Sequence, residues 1–245
     1  MAILTPWTWS AMEIGWASSK SSISSCQHSS IRGNRCVIQA LTRIIRFTGA
    51  GRGVTEALLE NSEPPATFVS AIDAICQKAA SQNGRLWIDA EQQVLQHGID
   101  RWTIDLMRRY NRDGRALVYN TIQAYLKASR TKLKEQLALA DREGWNLAVK
   151  LVRGAYIGND QRDLIHNTKQ DTDNSYNGIV RDLLSGTNLG FEPDRFPKSV
   201  RLFLAGHNPD SVRMAWNLIQ DLSSQGRLKM LPDFGQLQVS QETPA

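Results

Sequence analysis

The fold is decided by residues 147–152, which read Leu-Ala-Val-Lys-Leu-Val. This run is short and almost wholly apolar, which is typical of a strand that is buried on both faces of a parallel sheet. The charged residue Arg153 and the small residue Gly154 follow this run directly. Lys150 is the exception inside the run, and a lysine there is costly unless it is paired with an anion. A site near Lys150 is therefore expected.

Similar short apolar runs recur on both sides of this strand. They predict further strands at 42–47, 86–88, 116–119, 200–205 and 229–231. Between the runs, apolar residues repeat with helical spacing over 68–79, 91–110, 124–142 and 160–184. Pro209 opens one more helix, and Asn208 is a candidate cap before it. This alternation predicts βαβ units, a parallel sheet and the α/β class.

Two closed arrangements fit this pattern, a doubly wound sheet and a (β/α)8 TIM barrel. A doubly wound dinucleotide fold carries G-x-G-x-x-G after its first strand, whereas Gly49, Gly51 and Gly53 lack the third spacing. The barrel is favoured, although the pattern alone leaves the other arrangement open. Six predicted strands make it an incomplete barrel of about six βα units. Its open edges predict poor solubility or self-association.

Composition excludes several function classes. The 245 residues carry a net charge of +5, with 41% hydrophobic and 22% charged residues, so wholesale disorder and an integral membrane protein are not expected. Nucleic acid is not an expected partner, because the densest basic cluster reads as a solvated helix face. That cluster comprises Lys127, Arg130, Lys132 and Lys134. The number and spacing of the three cysteines predict neither a disulfide framework nor a zinc site.

The first 38 residues differ in texture from the rest. They are rich in serine and poor in acids, which is typical of transit peptides but lacks their arginine content. We expect a poorly ordered leader over 1–38 and a partial barrel over 39–245.

Polar side chains follow the predicted strands, where a barrel builds its active site. Asp89 can orient a cation there, although a helix cap is the alternative interpretation. Arg153 and Gly154 suit a phosphate group. The residues alone indicate a small-molecule enzyme with a cationic rim, and a lyase that uses Lys150 as a Schiff-base amine is one alternative. Polar residues at these strand ends are Arg46, Thr48, Asp89, Glu91, Asn120, Gln123, Lys150, Arg153, Tyr156, His207 and Asn208.

Several motifs in order resemble the proline dehydrogenase (proline oxidase) family of the fungal and eukaryotic type. They are RFTGAG at 46–51, LWIDAEQQ at 86–93, VYNTIQAYLK at 118–127, KLVRGAY at 150–156, IHNTKQDTD at 165–173, AGHN at 205–208 and FGQL at 234–237. The resemblance covers about residues 43–238. The family usually has lysine where this chain has Arg46. Its paired arginine, which grips the substrate carboxylate, has no counterpart after residue 200.

This resemblance implies an FAD-binding barrel that oxidises L-proline to 1-pyrroline-5-carboxylate and passes electrons to quinone. It implies a mitochondrial location, at the matrix side of the inner membrane. Catalytic roles would fall to Arg46, Asp89, Lys150 and Tyr156. Cofactor contacts would come from Gln123, Lys150, Val152, Arg153, Gly154, His207 and Asn208. A chain truncated at its C-terminus and without turnover is the alternative that the departures leave open.

Overall fold

The computed structural model describes residues 23–26 and 42–237. The expected leader over 1–38 lies outside the described residues, apart from 23–26, and so does the end of the chain after 237. The strands are β1 (Ile23–Cys26), β2 (Thr42–Ile45), β3 (Arg85–Ile88), β4 (Val118–Gln123), β5 (Ala148–Val152), β6 (Arg201–Ala205) and β7 (Asp233–Leu237). The helices are α1 (Arg52–Leu59), α2 (Ala66–Ser81), α3 (Gln93–Tyr110), α4 (Ser129–Glu143), α5 (Lys169–Ser185) and α6 (Pro209–Ser224).

The strand order distinguishes the two arrangements that the sequence left open. The sheet runs β1-β7-β6-β5-β4-β3-β2, and from β2 to β7 every strand pairs in parallel with the next strand of the chain. A doubly wound sheet would reverse this order at a switch point. The prediction of an incomplete (β/α)8-type barrel is confirmed, with six parallel strands among the described residues. β1 was not predicted, and it pairs antiparallel with β7.

The sheet is curled, and its two faces carry separate cores. Leu86 and Ile88 of β3 belong to the large core under the helices, whereas Trp87 lies in a small cluster on the concave face. The Trp87 ring centroid is 4.1 Å from that of Phe203, although three steps of the sheet separate β3 from β6. Below them an Arg85–Asp233 ion pair joins β3 to β7. Such contacts across the concave face require the curl of a barrel wall.

Two predicted strands are shifted, for reasons that lie outside their own residues. The last strand is Asp233–Leu237 rather than 229–231, because the Lys229 amide donates to the Leu184 carbonyl at the end of α5. The third strand is Val118–Gln123 rather than 116–119. There the buried Asn111 side chain accepts hydrogen bonds from the Leu117 and Val118 amides and holds the entry to the strand.

Helix starts also differ from the predicted ones. Residues 124–128 form turns around an isolated bridge between Leu126 and Ile165, so α4 begins at Ser129. α3 begins at Gln93. α5 begins after Thr168, whose side chain forms a capping box with Asp171. Phe47 leaves the first strand and enters a short 3-10 helix, Phe47–Ala50, where it is fully buried. The predicted start of α6 at Pro209 is confirmed.

A carboxylate at the end of α4 gives the fold a pH dependence. The hydrogen bond from Arg108, followed by one from the Trp145 indole, lowers the pKa of Glu143 from 4.5 to about 2. A lowered pKa adds stability that is full above the unfolded value and is lost as the pH falls through the folded value. We expect the urea midpoint to fall between about pH 4.5 and 2, and the Glu143→Gln variant to lose this part of the acid dependence. An unchanged acid profile in the variant would contradict the assignment.

Among the described residues, no helix has the length and apolarity that crossing a bilayer requires.

Candidate active site at the carboxyl ends of the strands

Lys150 and Asp89 meet on the concave face at the carboxyl ends of the strands. Lys150 projects from β5, and its Nζ lies 2.6 Å from Asp89 Oδ1, which follows β3. The Lys150 side chain is only 8% exposed. Its Nζ also lies 5.6 Å from the centroid of the Trp87 ring below it. The carboxylate therefore offsets the cost of burying the lysine, and it engages the Nζ atom on which the Schiff-base alternative depends.

Arg46 shares the same carboxylate from the other side. Its Nε is 3.5 Å from Asp89 Oδ2, and its side chain is 58% exposed. Asp89 is no helix cap, because α3 starts at Gln93 with Gln92 at the cap position. One carboxylate thus holds two cations, which leaves a net positive triad at the rim. The structure thus pairs three predicted residues that come from three different strands.

Tyr156 faces this triad from the loop after β5. It is partly buried, and desolvation raises its pKa, with Arg46 acting in the opposite direction and Glu91, Asp89 and Asp160 adding to the increase. The phenol therefore lies within electrostatic range of the charged residues of the rim. Arg46, Asp89 and Lys150 thus meet in one triad, and Tyr156 lies within electrostatic range of Arg46 and Asp89.

Gln123 ties two rim loops together. Its Oε1 accepts a hydrogen bond from the Ala155 amide at 3.2 Å, and its Nε2 donates to the Glu91 carbonyl at 3.3 Å. The Glu91 carboxylate in turn accepts hydrogen bonds from the amide and hydroxyl of Thr48. The turns after β2, β3 and β5 are therefore linked through two buried side chains, Gln123 and Glu91.

Asn120 is not a rim residue, contrary to the prediction. It lies inside β4, and its Nδ2 donates to Asp100 Oδ1 at 3.0 Å and to Gln136 Oε1 at 3.3 Å, between α3 and α4. Strand residues alternate between faces, so Asn120 points away from the concave face that Gln123 lines. Lys132 pairs with Asp100 at 2.6 Å, and Arg130 pairs with Asp182. The basic face of α4 is thus partly used in ion pairs rather than merely solvated.

Two further predicted residues, Arg153 and Asn208, line a cleft near the ends of β5 and β6. Arg153 is held by Asp173 at 2.9 Å, by the Ser211 hydroxyl at 2.6 Å, and by the Tyr176 ring, whose centroid is 4.5 Å from the guanidinium carbon. The cleft has a volume of about 230 Å³. Its lining includes Arg153, Tyr176, Gly206, Asn208, Ser211 and Gly235.

Asn208 closes one end of this cleft as the cap of α6. Its Oδ1 accepts hydrogen bonds from the Asp210 and Ser211 amides at 3.0 and 3.1 Å, which confirms the predicted cap. His207 beside it is exposed. The positive end of α6 and the guanidinium of Arg153 thus border the same space, an arrangement that favours an anion.

Gly154 has no room for a side chain. Its φ is +144°, and a Cβ placed there would lie 2.1 Å from Cδ1 of the buried Tyr125 ring. Val152, the last residue of β5, is partly buried beside it. The bare backbone at Gly154 is therefore required by a tyrosine of the neighbouring loop.

Sequence reasoning missed four side chains that hold the site: Tyr125, Asp160, Asp173 and Ser211. Asp173 had a local signal, because it lies one helical turn after Lys169 and pairs with it at 2.6 Å. Tyr125 and Asp160 lie on loops and Ser211 lies on α6, and each contacts a partner far away in the chain. Among the described residues, no group of three or more histidines, cysteines or acids could hold a metal ion.

The fold and its rim define an α/β barrel-type domain with a candidate ligand site at the carboxyl ends of parallel strands. A family model described as "Proline dehydrogenase" matches residues 10–238, so the chain belongs to the proline dehydrogenase family. The resemblance that the motifs indicated is thereby confirmed.

Curated relatives match part of their length. The "Probable proline dehydrogenase, mitochondrial" of Schizosaccharomyces pombe is 42% identical over 118 residues, which are 48% of this chain and 24% of that protein. "Proline dehydrogenase 1, mitochondrial" of Homo sapiens is 31% identical over 163 residues, which are 63% of this chain and 26% of that protein. The chain spans about a quarter of the length of these relatives.

Solved structures agree on the fold. The crystal structure of proline utilization A (PutA) from Bdellovibrio bacteriovorus superposes with a TM-score of 0.60 at 18% identity, over 74% of this chain and 18% of that chain. At this identity the likeness supports the incomplete α/β barrel alone.

Proposed function

We propose that this chain takes part in the FAD-dependent oxidation of L-proline to 1-pyrroline-5-carboxylate, with quinone as the electron acceptor. The observation that carries the proposal is the triad in which Asp89 holds both Arg46 and Lys150 beside Tyr156. The names of the relatives support a mitochondrial location, which we extend to the matrix side of the inner membrane.

The described residues fit FAD in two respects. Arg153, the start of α6 and the bare backbone at Gly206 and Gly235 line one cleft, which suits a pyrophosphate. A Cβ on Gly206 would lie 3.4 Å from Arg153 Nη1, so this backbone runs directly beside the guanidinium in the cleft. Lys150 lies on the concave face, where a cation would stabilise a negatively charged reduced ring.

The residues that would hold the cofactor are the predicted ones. Gln123 would lie at the pyrimidine edge of the ring, and Lys150 beside its reactive nitrogen. Val152, Arg153 and Gly154 would support the ring and the phosphates, with His207 and Asn208 on the far side of the cofactor. When bound, the flavin supplies the hydride acceptor.

The triad accounts for the handling of substrate. Arg46 is the more exposed of the two cations and shares its partner with Lys150. Its guanidinium can therefore donate hydrogen bonds to a second carboxylate, that of proline. Asp89 orients Arg46 and prevents repulsion between the two cations. Tyr156 walls the space and limits access of water to the reacting carbon.

A second candidate is a family member that binds flavin without turnover. It is favoured because two arginines after residue 200, which could have bound the substrate carboxylate, are engaged elsewhere. Arg213 pairs with Asp210 on α6, and Arg201 donates to the carbonyls of Lys198 and Val200. In the described part of the chain neither reaches the triad.

Titration of the purified chain with FAD tests the binding step. We expect bound, yellow protein, and about a tenfold or greater loss of affinity in Arg153→Met, because a charge-assisted contact to phosphate is removed. Arg213→Met is the matched control, since Arg213 lies in an exposed pair on α6, and it should bind FAD as the parent chain does. A chain that stays colourless at saturating FAD, or equal affinity in both variants, would overturn the proposed cleft.

A further inference from the structure

Two rim loops share a small core of their own. Tyr125, Leu126 and Ile165 form a buried cluster separate from the main core. The loop after β4 contributes the first two residues, and the loop over 153–168 contributes the third. Backbone hydrogen bonds join the loops, from the Lys127 amide to the Leu164 carbonyl at 2.9 Å and from the His166 amide to the Tyr125 carbonyl at 2.8 Å.

Asp160 connects this small core to α3. Its Oδ2 accepts a hydrogen bond from the Tyr125 hydroxyl at 2.5 Å, and its Oδ1 accepts one from the Gln93 amide at 2.8 Å. Gln92, at the cap position of α3, makes no side-chain cap. A carboxylate from a distant loop thus supplies the missing cap, and its negative charge interacts favourably with the positive end of the helix dipole. One side chain joins the loop after β5, the loop after β4 and the start of α3.

The same residue closes the turn that carries Tyr156. The amides of Asn159 and Asp160 both donate to the Tyr156 carbonyl at 2.9 Å. Fixing Asp160 therefore fixes the backbone of Tyr156, and no other part of the turn is buried, since residues 157–159 are exposed. Ile157 is 69% exposed, so packing of the turn contributes little.

We propose that Tyr125 and Asp160 are positioning residues that hold Tyr156 against the Arg46–Asp89 side of the rim. Their contribution to proline oxidation rests on the proposed function. Their effect on Tyr156 does not, because it is a property of the chain without any ligand.

Tyrosine NMR tests the inference directly. The chain has five tyrosines, so ¹³C-labelled tyrosine gives five signals, and Tyr156→Phe identifies the one of interest. In Tyr125→Phe and Asp160→Ala we expect the Tyr156 signal to move toward its position in an unfolded chain and to become more accessible to a soluble paramagnetic agent. Tyr125→Phe keeps the ring that packs against Gly154, so it should fold.

Tyr110→Phe is the matched control. It also removes a tyrosine–aspartate hydrogen bond, that of Tyr110 to Asp73 at 3.0 Å, but far from the rim. The Tyr156 signal should stay unchanged in this variant. If Tyr125→Phe and Asp160→Ala fold and leave the signal and accessibility of Tyr156 as in the parent chain, the inference is wrong.

A kinetic readout connects the pair to substrate. In flavin-loaded chain that reduces with L-proline, Tyr125→Phe should raise KM by roughly tenfold and change kcat less, as expected for one lost charge-assisted hydrogen bond. This effect should vanish in a Tyr156→Ala background. An equal effect in both backgrounds would mean that Tyr125 does not act through Tyr156. Absence of turnover would bear on the proposed function, and the NMR result would stand independently.

Discussion

Replacing Gly154 with alanine is expected to destabilise the chain by about 2–6 kcal/mol, since it combines backbone strain with overpacking. The φ of +144° is one that an alanine rarely adopts, and the new methyl group would lie 2.1 Å from the Tyr125 ring. That ring cannot withdraw easily, because it is only 3% exposed and its hydroxyl is bound to Asp160. We expect a lower urea midpoint and loss of FAD binding.

The same loop offers the control. A Cβ on Gly158 would meet no atom within 4 Å beyond its chain neighbours, and its φ is not left-handed, so Gly158→Ala should change the urea midpoint little. Adding Tyr125→Leu to Gly154→Ala should recover the part of the loss that comes from the clash and leave the part that comes from the backbone. A Gly154→Ala chain as stable as Gly158→Ala would refute this account of the loop.

Removing the carboxylate of Asp89 is the second large change. Asp89→Ala leaves the buried Lys150 without its partner at 2.6 Å, and breaking a buried pair in this way typically costs about 3–5 kcal/mol. Arg46 adds little to this cost, because its side chain is 58% exposed. Urea unfolding at neutral pH measures the effect. We also expect weaker binding of proline, since Arg46 loses its orientation.

The double variant Asp89→Ala/Lys150→Met distinguishes the cost of an unpaired buried charge from other effects of losing Asp89. With no buried charge left unpaired, since Arg46 is exposed, it should regain most of the lost stability, as apolar replacements of buried pairs do. Asp210→Ala is the exposed control, because the Arg213–Asp210 pair is 69% and 83% exposed and should contribute less than about 1 kcal/mol. If Asp89→Ala resembles Asp210→Ala, the triad is not a buried ion pair.

Local pattern was sufficient for the fold class, because apolar runs and helical periodicity are properties of neighbouring residues. The run around Lys150 and the cap at Asn208 are of this kind. The last strand was predicted too early in the chain because the Lys229 amide is bound by the Leu184 carbonyl. The residues near 229–231 give no indication of this distant contact. Asn120 was assigned to the rim because the register of β4 depends on Asn111, which precedes that strand.

The candidate site shows the same division. The strand ends predicted Arg46, Asp89, Lys150 and Tyr156. The structure pairs the first three and leaves Tyr156 within electrostatic range of Arg46 and Asp89, whereas their catalytic roles stay predictions. The hydrogen-bond partners that join different loops could not be predicted from the sequence. Tyr125 and Asp160 are 35 positions apart, and Gln123 and Ala155 are 32 apart. Such pairs arise from the meeting of two barrel loops, and no spacing rule within either loop indicates them.

Anaerobic addition of L-proline to the FAD-loaded chain tests the central claim most directly. The proposed function predicts that the visible flavin band bleaches with L-proline, not with D-proline, and that Lys150→Met slows the bleaching while Lys134→Met, on the outer face of α4, does not. A flavin-loaded chain whose band stays unchanged with L-proline would contradict proline oxidation by this chain and favour the family member that binds flavin without turnover.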